Sequence, residues 1–587
     1  MPRCACTVSP LVCLLLSIPC AIAQTAPQGA SPVATIQAGT QLVVVDVVAT
    51  DSKQNAVHGL KASDFTVLEN GSAQQVIGFE EHSAPSAAEL AKAPGALHLP
   101  PGIFANFTPS RAGSAVNILL LDALNTPMKA QMYVRDQLLD FVRKADPGTR
   151  IAIFALNSRL VMLQGFTSDL TLLKQVMEKT KPGASFVLSD VVGNGNNDSV
   201  ADAMTQVSGG GGDMGRLIES VQQLESTQAS NDSQVRAHLT LDAMNQLSHY
   251  LAGIPGRKNL VWFSGSFPLN VFPDGSITNP SATVGDSEAE FRETTNLLTR
   301  SQVAVYTVDA RGLQTDAGLA VASGQGGIGK QVTRPGEMSR GAVLSASARA
   351  FETNANEHMT LSSMAADSGG QTYLDDNGLA SAVSKAINNG ANYYTLTYRP
   401  SDQRQNGEFR KIQVKLDRAG IALAHRNGYY AADAKRPAAS ANSPMQPTSF
   451  VKAMLRGAPE ATEIMMKLQV APATAGTETT LAKNNLFSPE PAAKKLAKGP
   501  FRRYVIDVAA DGHDIQITPT GDGRYAFEVE MRTFVYDGSG QVVDVAMEKE
   551  RGNLTPSSLA NMLHVGLPFR QEVSVPATGE YYLRTSL

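Results

Sequence analysis

The run VNILLLD occupies residues 116–122 and, apart from Asn117, is apolar until it ends at a carboxylate, Asp122. A helical pattern follows at 128–144, and strand and helix patterns then alternate through the next part of the chain. Strands that alternate with helices indicate βα units and a mainly parallel sheet. The strand patterns at 150–156 and 159–166 are typical of a hairpin inside that sheet. We therefore predict a doubly wound, Rossmann-like α/β fold for this region.

Segments of different composition flank the α/β region. Short alternating strands precede it, and strand-like alternation returns after it, for example at 525–531. Stretches rich in Ala, Pro and Ser between these parts are typical of linkers. Within the α/β region, the long helical pattern at 214–251 is predicted to break near Ser230-Asn231-Asp232. We predict this organisation: signal peptide 1–23, small N-terminal β-module 36–83, linker 84–114, α/β domain with closing β-strands 115–433, linker 434–449, and C-terminal β-sandwich-like domain 450–587.

The first residues have the pattern of a secretory signal peptide. Arg3 precedes an apolar run at 11–18, and Ala21-Ile22-Ala23 forms a small-residue cleavage site before Gln24. All four cysteines lie inside this segment, so the exported chain would contain no thiol. A lipoprotein signal that ends at Cys20 is the alternative interpretation. We expect a periplasmic or extracellular protein without a membrane span, because no apolar run reaches the ~20 residues that a spanning helix needs.

Composition and motifs argue against several function classes. The formal net charge of -4 and the pI near 6.2 provide no basic field of the kind that nucleic-acid binding depends on. Residues 324–331 approach a phosphate-binding loop, but Gln331 replaces the hydroxyl that would meet Mg²⁺. Ser264-Gly265-Ser266 lacks the flanking glycines of a nucleophile elbow. These features favour a binding protein over an enzyme or a nucleic-acid-binding protein.

The order of elements and three short motifs resemble the von Willebrand factor type A (vWA) family. The motifs are Asp122-Ala123-Leu124-Asn125-Thr126 after the first strand of the sheet, the strand Asn259 to Gly265, and Val308 to Leu313. The last motif, the flanking strand module and the C-terminal extension are similar to the vWA-related proteins of acidobacteria. This resemblance implies a vWA-like doubly wound sheet whose strand ends carry a metal-ion-dependent adhesion site.

Such a site holds Mg²⁺ through oxygen ligands and leaves one position for a carboxylate of the partner, as suits a hard cation. Asp122 and Thr126 match two of the expected ligands, whereas Leu124 replaces a serine and Ser264 replaces an aspartate. The resemblance therefore implies a degenerate site in which Mg²⁺ binds weakly or not at all. The implied metal ligands are Asp122, Thr126, Ser185 and Ser264, and the implied partner-binding residues are Asp122, Asn125, Thr126, Ser264, Ser266 and Asp309.

Two hypotheses about function follow from these residues. The first is an exported binding, adhesion or assembly module that engages a protein partner at the strand ends. The second is a cryptic extracytoplasmic hydrolase with Asp122, Asp309 and a histidine gathered in the same crevice. Each carboxylate also has a structural interpretation: Asp122 as a cap or an acceptor of backbone N–H groups, and Asp309 as a turn residue paired with Arg311.

Overall fold

A computed structural model describes residues 42–84, 99–107, 115–146, 148–183, 213–267, 270–271, 285–312, 357–374, 378–431, 449–483, 485–487 and 499–587. All of them belong to one compact unit, Leu42–Leu587. The predicted signal peptide 1–23 and most of the predicted linker 434–449 lie outside the described residues. Within the described part of the chain, every helix is too short or too polar to cross a membrane.

The helices are named in chain order. They are α1 Met128–Lys144, α2 Leu170–Lys179, α3 Asp213–Ala252, α4 Glu288–Arg300, α5 357–368, α6 Leu379–Ala391, α7 Ser449–Ala453 and α8 Pro556–Val565. Two short 3-10 helices cover Ala62–Asp64 and Gly512–Asp514.

The strands are likewise named in chain order. They are β1 Val43–Thr50, β2 Phe65–Glu69, β3 Ser72–Gln74, β4 Val76–His82, β5 Ile103–Ala105, β6 Val116–Asp122, β7 Ile151–Leu156, β8 Leu160–Thr167, β9 Lys258–Ser264, β10 Asn270–Val271, β11 Gly285–Asp286, β12 Val303–Asp309, β13 Thr372–Tyr373, β14 Tyr393–Tyr398, β15 Phe409–Leu416, β16 Ala422–Ala424, β17 Gly428–Tyr430, β18 Met466–Pro472, β19 Asn485–Phe487, β20 Phe501–Ala510, β21 Thr518–Pro519, β22 Tyr525–Tyr536, β23 Val542–Leu554, β24 Leu567–Pro576 and β25 Tyr582–Ser586.

The central sheet has the strand order β13-β12-β9-β6-β7-β8. Every neighbouring pair is parallel except β7 and β8, which form the antiparallel hairpin predicted from the sequence. β9 and β12 are buried along their whole length, because helices cover both faces of the sheet. The predicted mainly parallel α/β architecture is thus confirmed. The chain adds β7 and β8 on one side of β6, and it adds β12 and β13 on the far side of β9. The boundary between the neighbours β6 and β9 is therefore the topological switch point of the sheet.

Two apolar layers hold the central sheet between its helices. On one face, side chains of β6 and β9 such as Ile118, Leu120 and Leu260 pack with Met244 and Leu247 of α3. The other face packs against α1, α2 and α6. The spacing of buried residues along each helix explains this arrangement, because positions three and four apart lie on one side.

The predicted break in the long helix is wrong, since α3 continues without interruption through Ser230-Asn231-Asp232. Polar side chains at this point bond along the helix and so support it. Gln228 Nε2 donates to Asp232 Oδ1 at 2.9 Å, and Gln234 Nε2 lies 3.4 Å from Ser230 Oγ. These contacts join residues four apart, which stabilises helices.

The N-terminal strands and the strands that follow α6 form a common pair of sheets. Their orders are β16-β1-β14-β4 and β17-β15-β2-β3. The predicted organisation places residues 36–83 and the closing strands of 115–433 in separate domains. The strand pairing instead joins them in the same sheets. A few strands alone bury too little apolar surface to be stable, and pairing with β14 and β15 completes the core around Val45, Val47 and Leu396.

The C-terminal region forms two antiparallel sheets that share one apolar core. One sheet has the order β24-β20-β18-β5, and the other is β19-β23-β22-β21 with β25 also paired to β22. β5 lies in the predicted linker 84–114, so that prediction is wrong for residues 103–105. The short run Ile103-Phe104-Ala105 pairs with β18 as an edge strand of this sheet.

Candidate functional site

Three neighbouring strands of the central sheet end in the predicted site residues. Asp122 ends β6, Ser264 ends β9 and Asp309 ends β12. Asp309 is the register partner of Ser264, and Leu121 is that of Phe263, so the three ends lie side by side. We call the segments Asp122–Thr126, Ser264–Ser266 and Asp309–Arg311 the rim. It lies at the carboxyl ends of the strands and includes the switch point.

Asp122 is the centre of a buried hydrogen-bond network. Its Oδ2 accepts hydrogen bonds from Asn125 Nδ2 at 2.8 Å, Trp262 Nε1 at 3.0 Å and Ser264 Oγ at 2.8 Å. Its Oδ1 accepts from the backbone N–H of Asn125 at 2.9 Å. Burial raises the pKa of Asp122, and the bonds from Asn125, Ser264 and Trp262 offset part of that rise. The carboxylate therefore serves as the acceptor that joins β6 to β9.

Asn125 and Thr126 connect the segment after β6 to α3 and to the segment after β9 through hydrogen bonds. Asn125 Nδ2 also donates to Thr240 Oγ1 of α3 at 2.8 Å, and Thr126 Oγ1 accepts from the backbone N–H of Gly265 at 3.0 Å. A side chain at Gly265 would meet the carbonyl oxygen of Asn125 at 2.9 Å, which is too close for a real Cβ contact. The two rim segments are thus in direct backbone contact.

Arg236 of α3 contacts the rim and was not identified from the sequence as a site residue. Its Nη1 donates to Ser266 Oγ at 3.0 Å, and the residue is only 3% exposed. Burial lowers the pKa of the guanidinium, and the carboxylates of Glu357 and Asp122 oppose this effect. Arg236 and Thr240 lie four residues apart on the buried side of α3. Polar residues on the otherwise apolar face of this helix are the sequence feature that could have indicated a buried polar contact.

Asp309 belongs to a second buried cluster. Arg311 donates to it from Nε at 3.1 Å and from Nη2 at 3.1 Å, while His358 Nε2 lies 2.8 Å from Oδ2. Arg311 Nη1 also donates to Glu357 at 2.8 Å. Burial would raise the pKa of Asp309, but the hydrogen bonds from His358 and Arg311 outweigh it and hold the pKa below its usual value. The interpretation of Asp309 as a turn residue paired with Arg311 is confirmed.

All six predicted partner-binding residues are buried, which corrects their predicted role. The exposed fractions are 2% for Asp122, 0% for Asn125, 2% for Thr126, 0% for Ser264, 0% for Ser266 and 1% for Asp309. In this conformation they offer a partner no surface, because their polar atoms are turned toward one another and toward α3. They position the rim segments instead. Ser185, the fourth predicted metal ligand, lies outside the described residues.

The described residues do not fit the predicted Mg²⁺ site. The buried Oδ1 of Asn125 lacks a hydrogen-bond partner among described residues and is a feature that would favour a cation. Against this, donors from Trp262, Asn125 and Ser264 already converge on Asp122. Leu124 is fully buried in the apolar core. The described residues also contain no group of three acidic, His or Cys side chains suited to a metal. Mg²⁺ needs nearly octahedral oxygen ligands, which this donor-rich arrangement does not supply.

Exposed apolar side chains lie beside the rim in sequence. Met128, at the start of α1, is 50% exposed and follows Thr126 by two residues. Met359 is 60% exposed and adjoins His358, and Val235 is 43% exposed and adjoins Arg236. Each therefore neighbours a residue of the rim or a side chain bonded to it. Exposed methionines suit adaptable binding surfaces, because their side chains are flexible and polarisable.

Comparisons with known proteins gave structural likenesses only. No protein-family model matches the sequence, and no curated protein matches it. An aerotolerance-related membrane protein from Bacteroides fragilis is similar over 47% of this chain and 99% of its own, with 13% identity and a TM-score of 0.23. BatB from Bacteroides thetaiotaomicron matches 48% of this chain and 99% of its own, with 12% identity and a TM-score of 0.21. The SpRpn10 VWA domain matches 33% of this chain and 74% of its own, with 14% identity and a TM-score of 0.15.

Proposed function

We propose that this chain is an exported protein-binding module of the vWA kind and that a protein partner docks over the rim of the central sheet. The export part of the proposal rests on the signal-peptide pattern of residues 1–23. The vWA part rests on the motifs that follow β6, β9 and β12, and on the strand order of the central sheet. Open α/β sheets bind ligands beyond the carboxyl ends of their strands, at the switch point.

The observation that carries this proposal is the rigid polar interior of the rim together with exposed apolar side chains that adjoin it in sequence. The hydrogen bonds of Asp122 and Ser266 fix the rim segments and α3. Met128 and Met359 are exposed and adjoin, in sequence, the rim and a residue bonded to it. A partner would therefore meet a preorganised surface with apolar anchors, and such anchors carry much of the binding energy of protein interfaces. Binding in this arrangement does not depend on a divalent ion.

Replacing the exposed methionines tests the proposed docking surface. The mature protein carrying Met128→Lys and Met359→Lys is immobilised and exposed to an envelope extract of the exporting organism. It should capture about one tenth or less of the partner that the wild type captures, because charged side chains would have to be desolvated at the interface. Retained proteins are quantified by mass spectrometry. Wild-type capture should be the same with Mg²⁺ and with a chelator.

Met547→Lys is the matched control. Met547 lies on β23 of the C-terminal sheets and is 41% exposed, so the same chemical change occurs away from the rim. This variant should capture the partner as the wild type does. Equal loss in both variants, or none in the rim variant, would place the docking surface elsewhere. Loss of capture in chelator would instead support a metal-dependent site.

The geometry favours binding over the hydrolase hypothesis. The crevice does contain a histidine close to Asp309, as that hypothesis expected, and it is His358. Within the described residues, however, His358 Nε2 lies 2.8 Å from Asp309 Oδ2 and 3.1 Å from Arg311 Nη2, and no hydroxyl bonds to this side chain. A hydrolase that works through a covalent intermediate needs a nucleophile within reach of its base.

A further inference from the structure

The C-terminal sheets border an open cavity of about 650 Å³, which lies within the size range of small-molecule sites. One wall is the inner face of β18, where Met466, Leu468 and Val470 alternate. These side chains are only half-buried, whereas Ile506 of the neighbouring strand β20 is fully buried. The core of the two sheets is therefore incompletely filled at this end.

Two edge strands border the cavity. Among the described residues, β5 pairs only with β18 and β25 pairs only with β22, so the two sheets are open between them. Phe104 of β5 lines the cavity and is 55% exposed, and the aromatic side chains of Tyr581 and Tyr582 line it near β25. The walls thus present apolar and aromatic surface that an organic ligand could cover.

Arginine side chains give the cavity its polar groups. Arg584 Nη2 donates to the carbonyl oxygen of Pro459 at 2.7 Å. Arg456 Nη1 donates to the carbonyl oxygen of Gly538 at 3.0 Å, and its guanidinium stacks 3.8 Å over the Tyr582 ring. A guanidinium has five N–H donors, so each of these contacts leaves several for a ligand.

Two acidic residues, Glu460 and Glu463, also line the cavity. Glu463 Oε1 lies 2.6 Å from His249 Nδ1 of α3 and is committed to that pair. Glu460 and Arg584 both line the cavity, and their charges interact, although no salt bridge joins them among the described residues. Burial raises the pKa of Glu460 and the charge of Arg584 opposes that rise, while an arginine stays protonated in proteins. Arg456 and Arg584 are therefore the cationic groups of the lining that an anionic ligand would contact.

We propose that this cavity binds an amphipathic organic anion, with its carboxylate on Arg584 and its apolar body against β18 and Phe104. The ligand class follows from the combination of apolar walls with two incompletely bonded guanidinium groups. Arginine recognises carboxylates through paired N–H donors, and this contact strengthens where water is excluded. The site is independent of the rim and would add a small-molecule function to the proposed protein-binding function.

Calorimetry with the full mature chain tests this assignment. Dodecanoate, dodecylamine and dodecanol share one alkyl chain and differ in charge, so they separate the contribution of the head group. We expect dodecanoate to bind most tightly. Arg584→Gln should weaken dodecanoate binding about tenfold or more, because a hydrogen bond to a charged group is lost. Ala461→Trp, which fills part of the cavity from its lining, should abolish binding of the alkyl chain.

Arg570→Gln is the control for Arg584→Gln. Arg570 lies on β24, pairs with Asp507 and has a 71% exposed side chain, so its loss should leave dodecanoate binding unchanged. Circular dichroism verifies that each variant is folded. The assignment is overturned if dodecanoate does not bind, or if dodecylamine binds equally well. It is also overturned if either Arg584→Gln or Ala461→Trp, once shown to be folded, leaves dodecanoate binding unchanged.

Discussion

Leu124 is the one rim residue of the segment Asp122–Thr126 whose side chain packs in the apolar core with Ile118, Leu120 and Phe154. It occupies the position at which an adhesion site would carry a serine ligand. Here the side chain points into the core, while Asp122 and Asn125 on either side of it bond to each other. Position 124 therefore contributes stability and is not a vacant ligand position.

We predict that Leu124→Ser lowers the free energy of unfolding by about 3 kcal/mol or more. The substitution removes buried methyl groups, leaves a cavity and places a hydroxyl in apolar surroundings. Urea unfolding of the mature chain, followed by Trp262 fluorescence, measures the change. Adding Mg²⁺ should not restore stability, because the new hydroxyl faces the core.

Leu124→Met is the matched control for this prediction. It nearly conserves volume and should cost less than about 1.5 kcal/mol. A mild effect of Leu124→Ser, together with a Mg²⁺-dependent gain in its stability, would show that position 124 faces a cation site after all.

At the scale of elements, the strands of the central sheet could be predicted because β6, β9 and β12 are buried on both faces and so are mostly apolar. Their last residues then placed Asp122, Ser264 and Asp309 at one edge. The partners of these residues could not be predicted. Arg236 bonds to a residue 30 positions away, and His358 to one 49 positions away. Such contacts depend on how helices pack across the sheet, which local patterns do not encode.

The continuity of α3 matters for the rim because this helix carries Arg236 and Thr240 a short distance after the predicted break. Asn231 is exposed, so a substitution there acts mainly through the backbone. Asn231→Pro should destabilise the protein by about 3 kcal/mol or more, since proline removes a helical hydrogen bond and clashes with the preceding turn. The urea midpoint and the helical circular dichroism signal report the loss.

Asn231→Ala serves as the control and should be neutral or stabilising by a few tenths of a kcal/mol, because alanine has the higher helix propensity. A turn at this position would accept proline with little change. In that case the continuous helix would be incorrect, and the position of Arg236 over the rim would no longer follow from the helix.

At the scale of the whole molecule, the strands that follow the central sheet in sequence pair with the N-terminal strands. β1 pairs with β14 and β16, and β2 pairs with β15, so strands more than 300 residues apart in sequence lie side by side. Glu69 of β2 is 3% exposed and accepts hydrogen bonds from Tyr398 at 2.7 Å and Tyr429 at 3.0 Å. Both tyrosines belong to the returning segment.

This closure predicts that the N-terminal strands stay bound when the covalent connection is removed. Co-expressed as separate chains, residues 24–94 and 95–587 should purify together through a tag on the shorter chain and separate in urea. Glu69→Ala should reduce co-purification strongly, because it leaves buried hydroxyl groups and Arg410 without their acceptor. Glu80→Ala is the control and should have no effect, because the Glu80 carboxylate is 75% exposed. If the shorter chain instead elutes alone in native buffer, the strands 43–82 form an independent module.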